Sequence, residues 1–307
     1  MKEKVLITGG VGFIGSKLKS VLMQEGYEIL TVGRNANEDF ILNLSDDLKL
    51  NDVLKNFLPD VVCHLASGSN IERAEKEKDK EYNDAVLASK TLINCLEDIK
   101  QKQIKFIYLS SQSVYGVPKF LPVNEAHQTN PGTIYGEYKL KVEDLIRKSR
   151  LHYTIFRVSS VYGVGQDFKK SGVIAKFINK LMSKQSPVVF NSFDLFSDFI
   201  YVDDLTRVLV YVVKNKTTKN TTNEIFNLGS GVPITLKEIL NILYKYFPDS
   251  PEPELKINPL YLDEEQKGMY LDITKVKSHL EWKPRYSICD GIEEILSSMK
   301  QEEKAFT

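Results

Sequence analysis

Residues 8–15 read TGGVGFIG, and the fold is decided there. The residues before them, KVLIT (4–8), form a short β-branched run. The residues after them, SKLKSVLMQEGY (16–27), carry apolar side chains at helical spacing. Gly9, Gly12 and Gly15 therefore stand between a strand and a helix at three-residue spacing. The first glycine allows a tight turn, the second lets a pyrophosphate approach the backbone, and the third lets the helix pack on the strand. Phe13 and Ile14 lie inside the same turn and are taken with it as cofactor-binding positions. The helix start offers free N–H groups and a positive dipole end to phosphates. This context predicts a dinucleotide site.

Outward from the turn, short β-branched runs alternate with helical patterns. EILTV, VVCHLAS, KFIYLSS and YTIFRVSSVYG read as strands; LNDVLKNFLPD, a long stretch from Asp79 to Gln103, and YGEYKLKVEDLIRKSR read as helices. Repeated β–α units predict an α/β fold, a Rossmann-type doubly wound parallel sheet. After Gly165 the rhythm breaks, which predicts a smaller C-terminal α+β substrate lobe. The expected division is a dinucleotide-binding domain over 1–165, joined again by 199–230, with 166–198 and 231–307 mainly in the substrate lobe.

The 307 residues are 42% hydrophobic and 27% charged, which fits a globular chain. Lys+Arg and Asp+Glu number 41 each, so no net field argues for nucleic acid or an acidic membrane surface. No run approaches the roughly 20 apolar residues of a membrane helix. With no signal-peptide pattern at the start, a cytoplasmic protein is expected. Cys63, Cys95 and Cys289 have neither the count nor the spacing of a disulfide framework or zinc site, and are expected as buried thiols. His64, His127, His152 and His279 are scattered, so no metal is expected.

Tyr135 and Lys139 lie four apart on a predicted helix and share a face. A free phenol titrates near 10, and a neighbouring ammonium would lower it towards useful proton transfer. Ser110 and Ser111 end a strand, at the sheet edge where such folds bind ligands. On this reading alone either serine qualifies, and Tyr138 and Lys141 compete with Tyr135 and Lys139.

Eight stations in order, TGGVGFIG, HLAS, LSSQSVYG, YGEYK, RVSSVYG, DFIYVDD, NLGSG and LEWKP, run from about Lys4 to Pro284. Together they resemble the extended short-chain dehydrogenase/reductases, the NAD(P)-dependent epimerase/dehydratase family acting on nucleotide sugars. The resemblance implies Ser111, Tyr135 and Lys139 as the catalytic set. Ser111 is chosen because it lies three residues before Val114-Tyr115-Gly116, and Lys139 would also hold the nicotinamide ribose. It implies that Asn43 and Leu44 contact adenine, and that Leu65, Ala66 and Ser67 pack on the adenosine and diphosphate. Ser113, Ser160 and Asn191 are implied on the substrate side, with Phe190 beside Asn191. The helices holding Glu81–Leu96 and Tyr135–Lys148 resemble a dimer-forming pair, so a homodimer is expected.

The departures narrow the reaction. Gln112 and Ser113 replace the Asp-Glu pair of 4,6-dehydratases, and the Cys and His of the family's GDP-fucose-forming epimerase-reductase are missing. Hydride chemistry at a ring carbon remains. Gly33 stands where NAD-preferring folds carry an acid, and Arg34 beside it offers a fork suited to a 2′-phosphate. NADP(H) is therefore expected over NAD(H), and with it reduction of a 4-keto sugar nucleotide. The alternatives are an NAD-dependent 4-epimerase and a non-catalytic NADP-binding regulator. Ala85 and Ser160 replace family asparagines. Ser197 replaces an Arg that grips the diphosphate, leaving Lys169, Lys170 or Lys267 as substitutes.

Overall fold

The computed structural model describes residues 2–68, 71–99, 103–168, 172–258 and 268–305. Lys169, Lys170 and Lys267 lie outside them. Among these residues the strands are β1 (Lys4–Thr8), β2 (Glu28–Gly33), β3 (Phe40–Ile41), β4 (Val61–His64), β5 (Lys105–Ser111), β6 (His152–Val158), β7 (Ser160–Tyr162), β8 (Val188–Phe190), β9 (Phe196–Tyr201), β10 (Glu224–Leu228), β11 (Pro233–Thr235), β12 (Glu254–Lys256) and β13 (Gly268–Met269). The helices are α1 (Phe13–Gln24), α2 (Asp47–Phe57), α3 (Ile71–Lys76), α4 (Lys78–Tyr82), α5 (Ala88–Glu97), α6 (Ile134–Lys148), α7 (Val173–Met182), α8 (Val202–Lys214), α9 (Leu236–Tyr244), α10 (Thr274–Leu280) and α11 (Ile288–Ala305).

Seven strands form one parallel sheet in the order β10-β6-β5-β4-β1-β2-β3. Apart from the added edge strand β10, this is the doubly wound Rossmann order, and it reverses between β1 and β4. The central strands are buried throughout β4 and β5, as a sheet covered on both faces requires. Val5, Ile7, Ile107 and Phe156 pack on one face against α1 and α8, while Leu6, Val62, Phe106 and Tyr108 pack on the other with residues of α2, α5 and α6. A third cluster, including Phe177, Ile178, Leu240 and Ile295, forms the core of the second lobe.

Two expectations need correction. The segment from 199 was expected to rejoin the large sheet. Its β10 does, pairing with β6, and α8 packs on that sheet's face, whereas β9 pairs with β7, β11 and β13 in a small separate sheet. The buried Asp198 holds β9 there, accepting from the backbone N–H groups of Ser230, Gly231 and Leu271. The long helix is also interrupted, because a π-helical stretch, Asn83–Leu87, links α4 to α5. Such stretches often occur at functional sites.

The remaining motifs have structural employment. The Trp282 indole donates to the Asp204 carbonyl, and the Asp204 carboxylate takes the Arg285 and Tyr286 N–H groups. The Tyr115 hydroxyl donates to Asn227, pinning the loop after β5 to β10. Cys63 and Cys95 are buried but Cys289 is exposed, since α11 turns that side towards solvent. No described helix is long and apolar enough to cross a membrane. No metal-capable group of three His, Cys, Asp or Glu occurs among the described residues.

Candidate active site

A cleft of about 630 Å³ opens where the strand order reverses. Gly9, Gly12, Phe13, Ile14 and Gly15 line one part of it, and Ser111, Ser113, Tyr135, Lys139 and Ser160 another. An adjoining cavity of about 260 Å³ is lined by Gly33, Arg34, Asn43, Leu44, Leu65, Ala66 and Ser67. The two volumes suit a small-molecule site.

The glycine turn fits a dinucleotide. Gly9 has φ +70°, and a Cβ there would press within 3.2 Å of the Ala66 backbone. Gly12 caps α1 without a side-chain hydrogen bond, and no acid lies in the first helical turn. The first-turn N–H groups thus have no partner within the helix, at a positive dipole end facing the cleft. Beneath the turn, His64 joins β1 to the π-helical region. Its Nδ1 lies 2.7 Å from the Thr8 hydroxyl and its Nε2 2.8 Å from Ser89 Oγ. Burial lowers this imidazole to about 3, so it is a neutral structural bridge.

Lys139 is carried one helical turn beyond Tyr135 on α6. Thr133 caps that helix by accepting from the Gly136 N–H at 3.1 Å. A side chain at 136 would strike the Ser113 carbonyl, so the glycine lets α6 start directly against the serine loop. Lys139 Nζ donates to Ser67 Oγ (2.7 Å) and to the Leu109 carbonyl (2.9 Å), and lies 5.6 Å from the centre of the Tyr135 ring. Burial pulls its ammonium down to about 7, against the pull of Glu81 and Glu143.

The expected lowering of the Tyr135 phenol is not what this arrangement gives. Burial pushes it up to about 12, with the Ser111 hydroxyl working the other way. Lys139 spends its donors on Ser67 and Leu109, and burial costs it much of its own charge at neutral pH. Ser67, expected on the cofactor, is 2% exposed and grips Lys139.

The two serines have separate surroundings. Ser110 donates to Glu143, which is buried and paired with Arg157 at 2.8 Å. Ser111 borders the cleft and hydrogen-bonds the Ser113 hydroxyl at 3.1 Å. Likewise, Tyr138 and Lys141 pack with Tyr82 and do not line the cleft.

Arg34 does reach the smaller cavity, but it is ion-paired there. Its Nη1 lies 2.7 Å from Asp84 Oδ1, and Arg73 approaches the same carboxylate. Asn43 holds the Ser45 N–H and lines this cavity beside Leu44. Asn191 does not line the cleft; its side chain bonds the backbone of Asn258. Phe190 is exposed. Ser197 lies on β9, its hydroxyl 3.5 Å from the Asp198 carbonyl. Sequence reasoning missed Glu72 of α3 and Lys176 of α7, which face each other across the cleft at 3.8 Å. Their only sequence signal is amphipathic helical spacing.

A family model described as the NAD dependent epimerase/dehydratase family matches residues 5–229. A Methanocaldococcus jannaschii protein provisionally named UDP-glucose 4-epimerase is 32% identical over 98% of this chain and 99% of its own length. The dTDP-4-dehydro-6-deoxyglucose reductase of Escherichia coli is 26% identical over 97% of this chain and 98% of its own. Among solved structures, the UDP-glucuronic acid 4-epimerase of Bacillus cereus, in complex with UDP-glucuronic acid and NAD, superposes with a TM-score of 0.84. It is 26% identical and covers 97% of this chain and 99% of that one.

Proposed function

The chain belongs to the NAD-dependent epimerase/dehydratase family, and we propose that it is a nucleotide-sugar 4-epimerase working with NAD on a UDP-hexose. The observation that carries this over net reduction is the Arg34–Asp84 ion pair. NADP use was expected because Arg34 offered a fork to a 2′-phosphate. The Asp84 carboxylate now engages Nη1 of that fork and adds negative charge in the same cavity. The nearly full-length likeness to a protein named UDP-glucose 4-epimerase supports the same reaction and substrate class.

The residues fit the group. Gly9, Gly12 and the start of α1 would hold the diphosphate, the smaller cavity the adenosine, and Lys139 the nicotinamide ribose. A bound nicotinamide dinucleotide supplies the hydride acceptor and donor. Tyr135 takes the proton from the sugar 4-hydroxyl and returns it, working beside Ser111, whose hydroxyl steadies charge on the same oxygen. Burial holds the Tyr135 phenol at about 12, so the proton-taking half of the cycle would need the positive charge of an oxidised nicotinamide to favour the phenolate. Gln112 and Ser113 are neither acid nor base, so no water is eliminated.

The 26% identity with the E. coli reductase favours a second reading, an NADPH-dependent 4-ketoreductase. Purified protein offered UDP-glucose with no added cofactor separates them. Interconversion with UDP-galactose, and NAD released on denaturation, supports the epimerase. Stoichiometric NADPH oxidation on a 4-keto sugar nucleotide, with no interconversion, supports the reductase. The homodimer and the cytoplasmic location join this proposal; sedimentation of the purified chain tests the former.

A further inference from the structure

One short helix touches both lobes at the cleft. α3 runs only from Ile71 to Lys76, yet Ile71 and Glu72 line the cleft and Ala74 is fully buried. Further along the same helix, Glu75 Oε1 accepts the Ile134 N–H at 2.8 Å. Ile134 is the first residue of α6, and Tyr135 is the next. That N–H has no partner within its own helix. It stands at the positive end of the helix dipole, where a carboxylate is favoured. On the other side of Tyr135 along the chain, Thr133 takes the Gly136 N–H at 3.1 Å. The turn that carries Tyr135 is thus held at both flanking residues, once by its own cap and once from α3. Glu72 precedes Glu75 by three residues and shares its face. Its carboxylate meets Lys176 of α7, in the second lobe, at 3.8 Å across the cleft. On another face, Arg73 anchors the helix by donating from Nε to Glu81 Oε2 at 2.9 Å.

Proton transfer depends on placement, and a shift of about 1 Å in a reacting group can cost roughly 10²-fold in rate. We propose that Glu75 is a positioning residue for Tyr135, and that Glu72 with Lys176 extends its hold to the second lobe, so that the lobe carrying α7 helps to set the tyrosine. Glu75 does not line the cleft; it acts through the first turn of α6. The Glu72–Lys176 pair is about half exposed, so its own strength is small and its effect is read in turnover rather than in stability. The inference rests on reading Tyr135 as the proton-transferring group.

The test is steady-state UDP-glucose interconversion by purified wild type and five variants at saturating NAD. Glu75→Ala should lower kcat by about tenfold, with KM within about twofold. Glu75→Gln keeps an oxygen for the Ile134 N–H and should recover kcat to within about threefold of wild type. Glu72→Lys and Lys176→Glu place like charges together and should each lower kcat by about threefold or more. The double swap restores opposite charges and should return kcat to within about twofold of wild type. That rescue is read even where Glu75→Ala does not fold. An unchanged kcat in folded Glu75→Ala, a loss that Glu75→Gln does not recover, or a double swap no better than the single changes overturns the proposal. A wild type that does not interconvert UDP-glucose overturns the proposed reaction instead. The same variants are then compared in NADPH-dependent reduction of a 4-keto sugar nucleotide, with the same fold-changes expected.

Discussion

Two buried lysines meet β5, one at each end. Lys105 opens the strand, 2% exposed, with Nζ donating to the Thr221 carbonyl at 2.6 Å and to that of Tyr153 at 3.5 Å. Lys139 comes from α6 to the Leu109 carbonyl near the strand's other end. Burial lowers both ammonium groups to about 7. Only Lys139 has a tyrosine, a serine hydroxyl and a cleft beside it. The difference teaches that a displaced pKa does not mark a functional site alone. Position does: the carboxyl edge of a parallel sheet gathers loops and helix starts, while the opposite edge closes over backbone carbonyls.

The comparison breaks most visibly at the cleft end. Tyr135→Phe combined with Lys139→Met should lower turnover by about 10²–10⁴-fold with the fold retained, as measured by UDP-sugar interconversion and circular dichroism. Near-native turnover would move the chemistry elsewhere. Lys105→Met should leave kcat within about twofold, because it touches no residue of the cleft.

The serine pair sharpens the same contrast. Ser111→Ala should reduce kcat by about 10–10²-fold through loss of one hydrogen bond to the reacting oxygen, with little change in Tm. Ser110→Ala should do the reverse, costing about 1–3 kcal/mol of stability by leaving Glu143 short of a donor. Equal effects of the two on kcat would contradict the separation seen between them.

The smallest effect is a slope. The folded Lys105 value, about 7, lies below its ordinary 10.5, so between these limits the unfolded chain binds one more proton than the folded chain. Stability therefore rises with pH across that window, and is held down below it. Lys105→Met should remove about 1.4 kcal/mol per pH unit from that slope. Urea denaturation of both proteins between pH 7.5 and 9.5 measures it, and an unchanged slope would mean Lys105 is charged throughout.

What the sequence made legible was local. The glycine turn and the Tyr135–Lys139 pair depend on spacing within a single turn or helix, and the repeated β–α rhythm carries the Rossmann sheet. What escaped was made by distance along the chain. Arg34 meets Asp84 fifty residues on, so its fork looked free. β9 departs to the small sheet because Asp198 finds donors on two remote segments. The lowering of Tyr135 assumed an ammonium whose charge burial preserves, and Lys139 is enclosed too deeply for that.

The central claim is that the cleft removes and restores a hydrogen at the same sugar carbon. UDP-glucose deuterated at C4, incubated with the purified protein and no added cofactor, tests it most directly. The account predicts UDP-galactose that keeps its deuterium at C4. No interconversion, together with NADPH-dependent entry of hydrogen at C4 of a 4-keto sugar nucleotide, would contradict it.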